Sequence, residues 1–376
     1  MATLIGTTTS STPHRWENTP HIFKMADGNF VAIYFDGTNS GYRIKSGGSW
    51  GSFTAFSGAN ANPTYHNGSS CRNGDTIFYG RSSTTGSQNV FSKLAYSGGA
   101  ITETHVLQST TGSSNNVVTG AYYDTTNSYV HFRSYHFDGV NEYMYHTALN
   151  TSLTQQYSTN ESGSAFSASN GNICAVAGDG SSTFYSYNRH GTSSTTIVGR
   201  KLVAGASSYT VTNQSGLPTA GSSIASIAAV YDSAGLVLFL VETTGANVRY
   251  TTRTNDTTYT SLTTIVSSGV TTTPTLAVGR ITGSDSLVVL YTRTTTQANG
   301  EIYMVRRTGG SWEASPGTRV AGGASTGWDM STIALTDLNN TNKLLATYKT
   351  GTGSPWSIYE DLAQLAQPAG GFFAFL

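Results

Sequence analysis

Charge is the scarcest commodity in this chain. Lys, Arg, Asp and Glu together make up 11% of its 376 residues, against about a quarter in an average soluble protein. The 20 basic and 20 acidic side chains also cancel. With no net field to draw it to phosphates or anionic lipid, the protein is not expected to bind nucleic acid or a membrane surface. Cysteine is nearly absent: Cys71 and Cys174 have neither CxxC spacing nor a nearby histidine pair, which argues against a zinc or redox site and leaves two small buried apolar residues. No apolar run is long enough for a bilayer, and the opening "MATLIGTTTSST" has neither the basic nor the apolar region of a signal peptide, so a soluble, non-exported protein is predicted. Helical periodicity is missing except around Glu360 to Gln367. The eight histidines form no HxxxH or HExxH pattern, and no glycine-rich stretch has the strand-to-helix setting of a phosphate loop; neither metal nor cofactor is predicted.

What the chain has instead is Ser, Thr, Gly and Tyr, with 42 Gly and 22 Tyr. β-Branched and aromatic side chains suit a pleated sheet, and glycine suits tight turns. The stretch "KSGGSW", Lys45 to Trp50, returns as "RTGGSW", Arg307 to Trp312. The two tryptophans stand five periods of about 52 residues apart, and a fixed period of this size marks repeated supersecondary units. Weaker copies fall between them: "AYSGGAI" ending at Ile101, "TALNTSL" at Leu153, "VAGASSY" at Tyr209 and "RTNDTTY" at Tyr259. Each is a strand, a small-residue turn and a bulky residue. Apolar second strands such as "NFVAIYFDGT" and "GLVLFLVETT" read as strands covered on both faces. Four antiparallel strands per period, repeated seven times, predict an all-β, seven-bladed β-propeller over residues 1–367, followed by an apolar tail at 368–376. The last unit supplies only three strands, near Met330–Thr336, Lys343–Lys349 and Trp356–Leu362. Ring closure therefore calls for the N-terminal "ATLIGTTTS" as its fourth, with the C-terminal "GGFFAFL" in competition. Cys71 and Cys174 then fall in blades that do not touch, and no disulfide joins them.

At "RIKSGGSW" and "VRRTGGSW" the chain resembles the Asp-box, or BNR, repeats of sialidase-like propellers, in which a strand leads through S-x-D-x-G-x-x-W into the next. The turn Asp is missing at both copies. The resemblance implies a propeller in which Trp50 and Trp312 pack under their own turns, with Tyr209 and Tyr259 as counterparts, on the face away from any ligand. Composition is also similar to propeller modules of tailed-phage virion proteins. That likeness implies a non-enzymatic adhesin or decoration protein, assembled in the host cytoplasm, whose partners are other virion proteins, copies of itself or a host surface glycan.

Strand direction puts the turns between second and third strands on the opposite face, where propellers usually bind ligands. At the ends of second strands stand Asp36, Arg81, Arg133, Glu242, Arg293 and Lys349. One reading makes them a polar ring for a glycan, with arginine forks for carboxylates; the plainer one has them solvating strand ends. His136 and Asp138 in "VHFRSYHFDG" and Trp328 in "TGWDM" are further binding candidates. A free-standing lectin is one alternative. A sialidase-like hydrolase, with Arg81, Arg133 and Arg293 as a carboxylate-binding triad and Glu242 beside a tyrosine, is another. Phe372, Phe373, Phe375 and Leu376 in the tail are costly to leave in water and are expected to dock on a partner or on the chain's own last blade.

Overall fold

The computed structural model describes residues 3–9, 21–58, 68–83, 88–109, 117–137, 140, 142–162, 174–190, 193–232, 235–244, 247–267, 276–280, 286–293, 301–322, 333–335, 343–350 and 354–364. It is an all-β propeller of antiparallel blades. Six blades are each drawn from one continuous stretch: blade 1 from Ile22 to Ala55, blade 2 from Ser69 to Ser109, blade 3 from Val117 to Ser162, blade 4 from Cys174 to Asn213, blade 5 from Ile224 to Val266 and blade 6 from Leu276 to Gly322. A further sheet is composite. Its strands Ile333–Leu335, Lys343–Thr350 and Trp356–Gln364 follow one another, and Thr3–Thr8 from the other end of the sequence pairs antiparallel with Trp356–Gln364 as the fourth. The stretch around Glu360, which carries the one hint of helical periodicity in the sequence, is that third strand, as the Trp356–Leu362 assignment expects.

In each blade the strands pair in sequence order, so the first strand is innermost and the fourth outermost. Innermost strands lie beside those of the next blade, from blade 2 through blade 6 to the composite sheet, and the first strand of blade 1 meets the composite sheet in turn. The core is consequently not one mass but a set of seams. Phe23, Ile33, Ile77 and Leu94 fill the seam between blades 1 and 2; Phe78, Phe91, Val118 and Phe132 that between blades 2 and 3; Ile5, Ile22, Ala32 and Ile358 that between the composite sheet and blade 1. Second strands such as Phe30–Phe35 and Gly235–Glu242 are buried along nearly their whole length, because alternate side chains enter the seams on either side.

The repeated turn now has a physical reason. Gly47 and Gly48 have φ of 58° and 89°, and Gly309 and Gly310 have 58° and 82°. Positive φ at both central residues makes the turn whose twist matches a hairpin, and glycine enters that region at no steric cost. Beyond it Trp50 pairs with Lys45 and Trp312 with Arg307, at equivalent positions. Tyr209 and Tyr259 likewise open the outer strands of blades 4 and 5. The rings do not tuck under their own turns. Trp312 crosses to blade 5, 5.4 Å from Tyr250 and 5.9 Å from Phe239, and Trp50 packs against the core that joins blade 1 to the composite sheet. Tyr209 lies 4.3 Å from His146 of blade 3, and the Tyr259 hydroxyl is 2.8 Å from that of Tyr187 in blade 4. Each fastens its blade to the one before.

Candidate functional site

Of the strand-end candidates, Arg81, Arg133 and Glu242 are buried in the body of the propeller. Arg81 is 1% exposed, donates to Ser92 Oγ (2.7 Å) and the Ser57 carbonyl (2.9 Å), and lies 4.9 Å from the Phe56 ring. Glu242 accepts the Gly221 amide hydrogen at 2.7 Å and faces Arg249 Nη1 at 3.4 Å. No tyrosine hydroxyl is among those two contacts. Asp36 caps its own turn through the Thr38 and Asn39 amides, both at 2.7 Å. His136 is buried 3.0 Å from Ser134 Oγ and 4.1 Å from the Tyr145 ring; burial pushes its pKa down to about 3, so it is neutral at ordinary pH. The side chains of Arg293 and Lys349 lie outside the described residues, as do Asp138, Trp328 and the tail with Phe372, Phe373, Phe375 and Leu376.

Arg133 belongs to a larger polar seam between blades 3 and 4. Its Nη1 donates to Glu161 Oε1 at 2.6 Å, and Glu161 Oε2 accepts from Arg200 Nε of blade 4 at 3.2 Å. Burial disfavours both charges, but the ion pair outweighs it: Glu161 is held below the usual carboxylate range and Arg133 above its own. Nearby, His131 Nδ1 and His146 Nε2 are 3.0 Å apart, with Asp124 Oδ2 3.6 Å from His131 Nε2 and the Tyr157 ring stacked on His146 at 5.9 Å. Burial depresses both imidazoles, His146 the more, against a partial upward pull on His131 from Asp124. One neutral ring therefore donates and the other accepts. Spacing does not reveal this pair: in the sheet His131 stands opposite Ala148 and His146 opposite Arg133, a diagonal that needs the register.

The open concavity is elsewhere. The inner strands of blades 2 to 6 end around a cavity of about 550 Å³ lined by Arg72, Tyr122, Tyr123, Asp179, Tyr231, Asp232 and Arg280 among others. Arg72 also lines a second hollow of about 320 Å³, shared with Lys24, Met25 and Asp75. This opening lies at the end of the ring that carries the turns between first and second strands, opposite to the end expected from the sequence. Its walls are fixed. Tyr122 accepts from the Gly180 amide (2.9 Å) and donates to the Ser181 carbonyl (2.7 Å), Tyr123 accepts from Asn73 (2.8 Å), and Asp232 takes Arg307 at 2.8 Å. Burial keeps the Tyr122 and Tyr231 phenols protonated, and hydrogen bonds from Ser181 hold Asp179 below the usual carboxylate range. The result is an aromatic and amide-edged mouth with both signs of charge at its rim. Among the described residues no group of three metal-ligating side chains occurs, and no helix is long and apolar enough to cross a membrane. Both cysteines are free thiols.

No family model and no curated protein matches the chain. Solved structures do match in fold. An ulvan lyase from a new family of polysaccharide lyases, bound to -[GlcA(1-4)Rha3S]-, superposes with a TM-score of 0.62 at 9% identity over 96% of this chain and 95% of that one; a second ulvan lyase structure gives 0.61. A puromycin hydrolase gives 0.57 at 8% identity, over 91% of this chain and 51% of that one. Identity this low shows the fold alone, and the fold serves unlike activities.

Proposed function

We propose that this chain is a glycan-binding propeller, the recognition part of a larger particle of the tailed-phage virion kind, and that saccharide docks at the central mouth. In this reading the composite sheet is the seventh blade, closed by the N-terminal strand, and the Asp-box-like turns are scaffold. The observation that carries it is the cavity of about 550 Å³ on which five inner strands converge: tyrosine rings offer faces to the apolar side of a sugar, while Arg72, Arg280 and Asp179 at the rim meet hydroxyls or a carboxylate. The Ser/Thr/Gly-rich, charge-poor composition supports a displayed protein. A mouth shared by the inner strands of five blades, rather than formed within a single blade, supports this over a multivalent lectin. Glycan-array screening followed by calorimetry is the test. One site per chain is expected, with Tyr231→Ala and Arg72→Ala each weakening binding at least tenfold, about 1.4 kcal/mol, without unfolding. Failure of the folded protein to hold any neutral or acidic glycan would end the proposal, and failure to co-sediment with particles would end its virion part.

The histidine pair supports a second reading, a glycan-processing enzyme. His131, His146 and Tyr157 beside Arg133 are the proton-transfer groups and cation that acid–base chemistry on a uronic acid needs, though a saccharide reaches them only if the seam opens. Turnover of acidic polysaccharides, lost in His146→Ala while binding persists, would establish it; absence of product from every such substrate would dismiss it.

A further inference from the structure

One edge of the buried Arg133 guanidinium has no hydrogen-bond partner among the described residues. Nη1 is engaged by Glu161, but Nε and Nη2, which together form the side-on fork of the group, are buried and make no hydrogen bond. Arg133 itself is 1% exposed. Asn188 Nδ2, in the facing blade, is a third buried donor with no oxygen or nitrogen acceptor among the described residues, its nearest given neighbour being the Cys174 thiol. Both residues border Cys174, whose thiol also neighbours Thr119 and Ser186. Close to Arg133 the charges do not balance either, because the seam's other carboxylate, Asp124, lies at the histidine end. Two guanidiniums, Arg133 and Arg200, share the single carboxylate of Glu161. Burial raises the Cys174 thiol despite the nearby Arg133, and burial likewise pushes the Tyr209 phenol up to about 12, so neither supplies the second negative charge. Asp124 is committed to Asn127, Thr126 and His131.

A buried cation with unused donors is costly unless an anion meets it, and a guanidinium fork is shaped for an anion. We propose that the seam between blades 3 and 4 holds a small monovalent anion, chloride or one of like size, between the Nε/Nη2 edge of Arg133 and Asn188 Nδ2. The closure that leaves Arg133 1% exposed keeps saccharides from this point, so the site is separate from the glycan mouth and its occupant is a structural ion.

The test is thermal unfolding of the full chain in sodium chloride against sodium gluconate at matched ionic strength, with a crystal grown in bromide for anomalous scattering. Chloride is expected to raise the midpoint by roughly 1–3 °C per tenfold increase once the site is filling, and bromide to scatter beside Arg133 and Asn188. Asn188→Asp carries its own negative charge to the same point and is expected to fold with a midpoint indifferent to chloride. Equal midpoints in the two salts, or a bromide map with no peak in this seam, would overturn the proposal; the bromide arm decides it even if Asn188→Asp does not fold.

Discussion

The seam between blades 5 and 6 and the seam between blades 3 and 4 occupy equivalent places in the ring and are built from opposite materials. The core of the first is apolar: Val237, Phe239, Val241, Leu287, Val289 and Val305 are all without exposure, with Trp312 laid across them and the Asp232–Arg307 ion pair at one edge. The second buries Asp124, His131, His146, Arg133 and Asn188 to within 1% of full burial and leans on Glu161 and Arg200 at its edge. Blade geometry evidently asks only for complementary surfaces. What chemistry fills them decides how the joint responds to its surroundings, since apolar burial is indifferent to protons and buried ionisable groups are not.

The largest effect is expected in the apolar seam. Phe239→Ala leaves a cavity and should cost about 3–5 kcal/mol, read by urea unfolding with Trp312 as the fluorescent reporter, and the loss should be the same at pH 5.5 and pH 8. A smaller loss at one pH than at the other would show that the seams are coupled. Acid should act on the polar seam instead. His131 and His146 have folded-state pKa values below those of the unfolded chain, so the unfolded state takes up more protons as the pH falls. Their contribution is whole above about pH 6.5, the unfolded value, and is lost progressively below it. His146→Leu should flatten that acid limb while costing about 1–3 kcal/mol at pH 7, because His131 and its neighbours are left with an unmet buried group; an unchanged acid limb would remove the histidine pair as its cause. The seam between blades 4 and 5 is intermediate, largely apolar but holding the Tyr187–Tyr259 hydroxyl contact. Tyr259→Phe should cost about 1 kcal/mol with no change in pH response; a larger loss would place this seam with the polar one.

Much of the architecture is legible in the sequence because it is periodic. "KSGGSW" and "RTGGSW" differ in place but not in backbone demand, so two glycines and a tryptophan mark one hairpin twice. The short last unit called for Thr3–Thr8, and pairing with Trp356–Gln364 answers it. The direction of Trp312 was not legible: whether an outer-strand ring folds under its turn or crosses to the next blade depends on the seam it meets. Candidate-site residues were harder still. Arg81, Arg133 and Glu242 stood out for their place at the ends of second strands and His136 for its aromatic-rich stretch, but alternation, not position along the strand, sends each side chain into a seam. The mouth is assembled from residues as far apart as Arg72 and Arg280, with no local motif, and His131 and His146 meet only through register.

The composite sheet sets a timetable. Thr8 pairs with Trp356, so the earlier strand waits for a partner made about 350 residues later, by which time the six continuous blades can already have formed against one another. Until then Thr3–Thr8 has no strand to meet, and Lys45 of blade 1 lacks Glu360, the ion-pair partner it finds across the junction. The composite sheet is thus a clasp fastened late, and a chain lacking either of the two strands would present an open sheet edge to its neighbours.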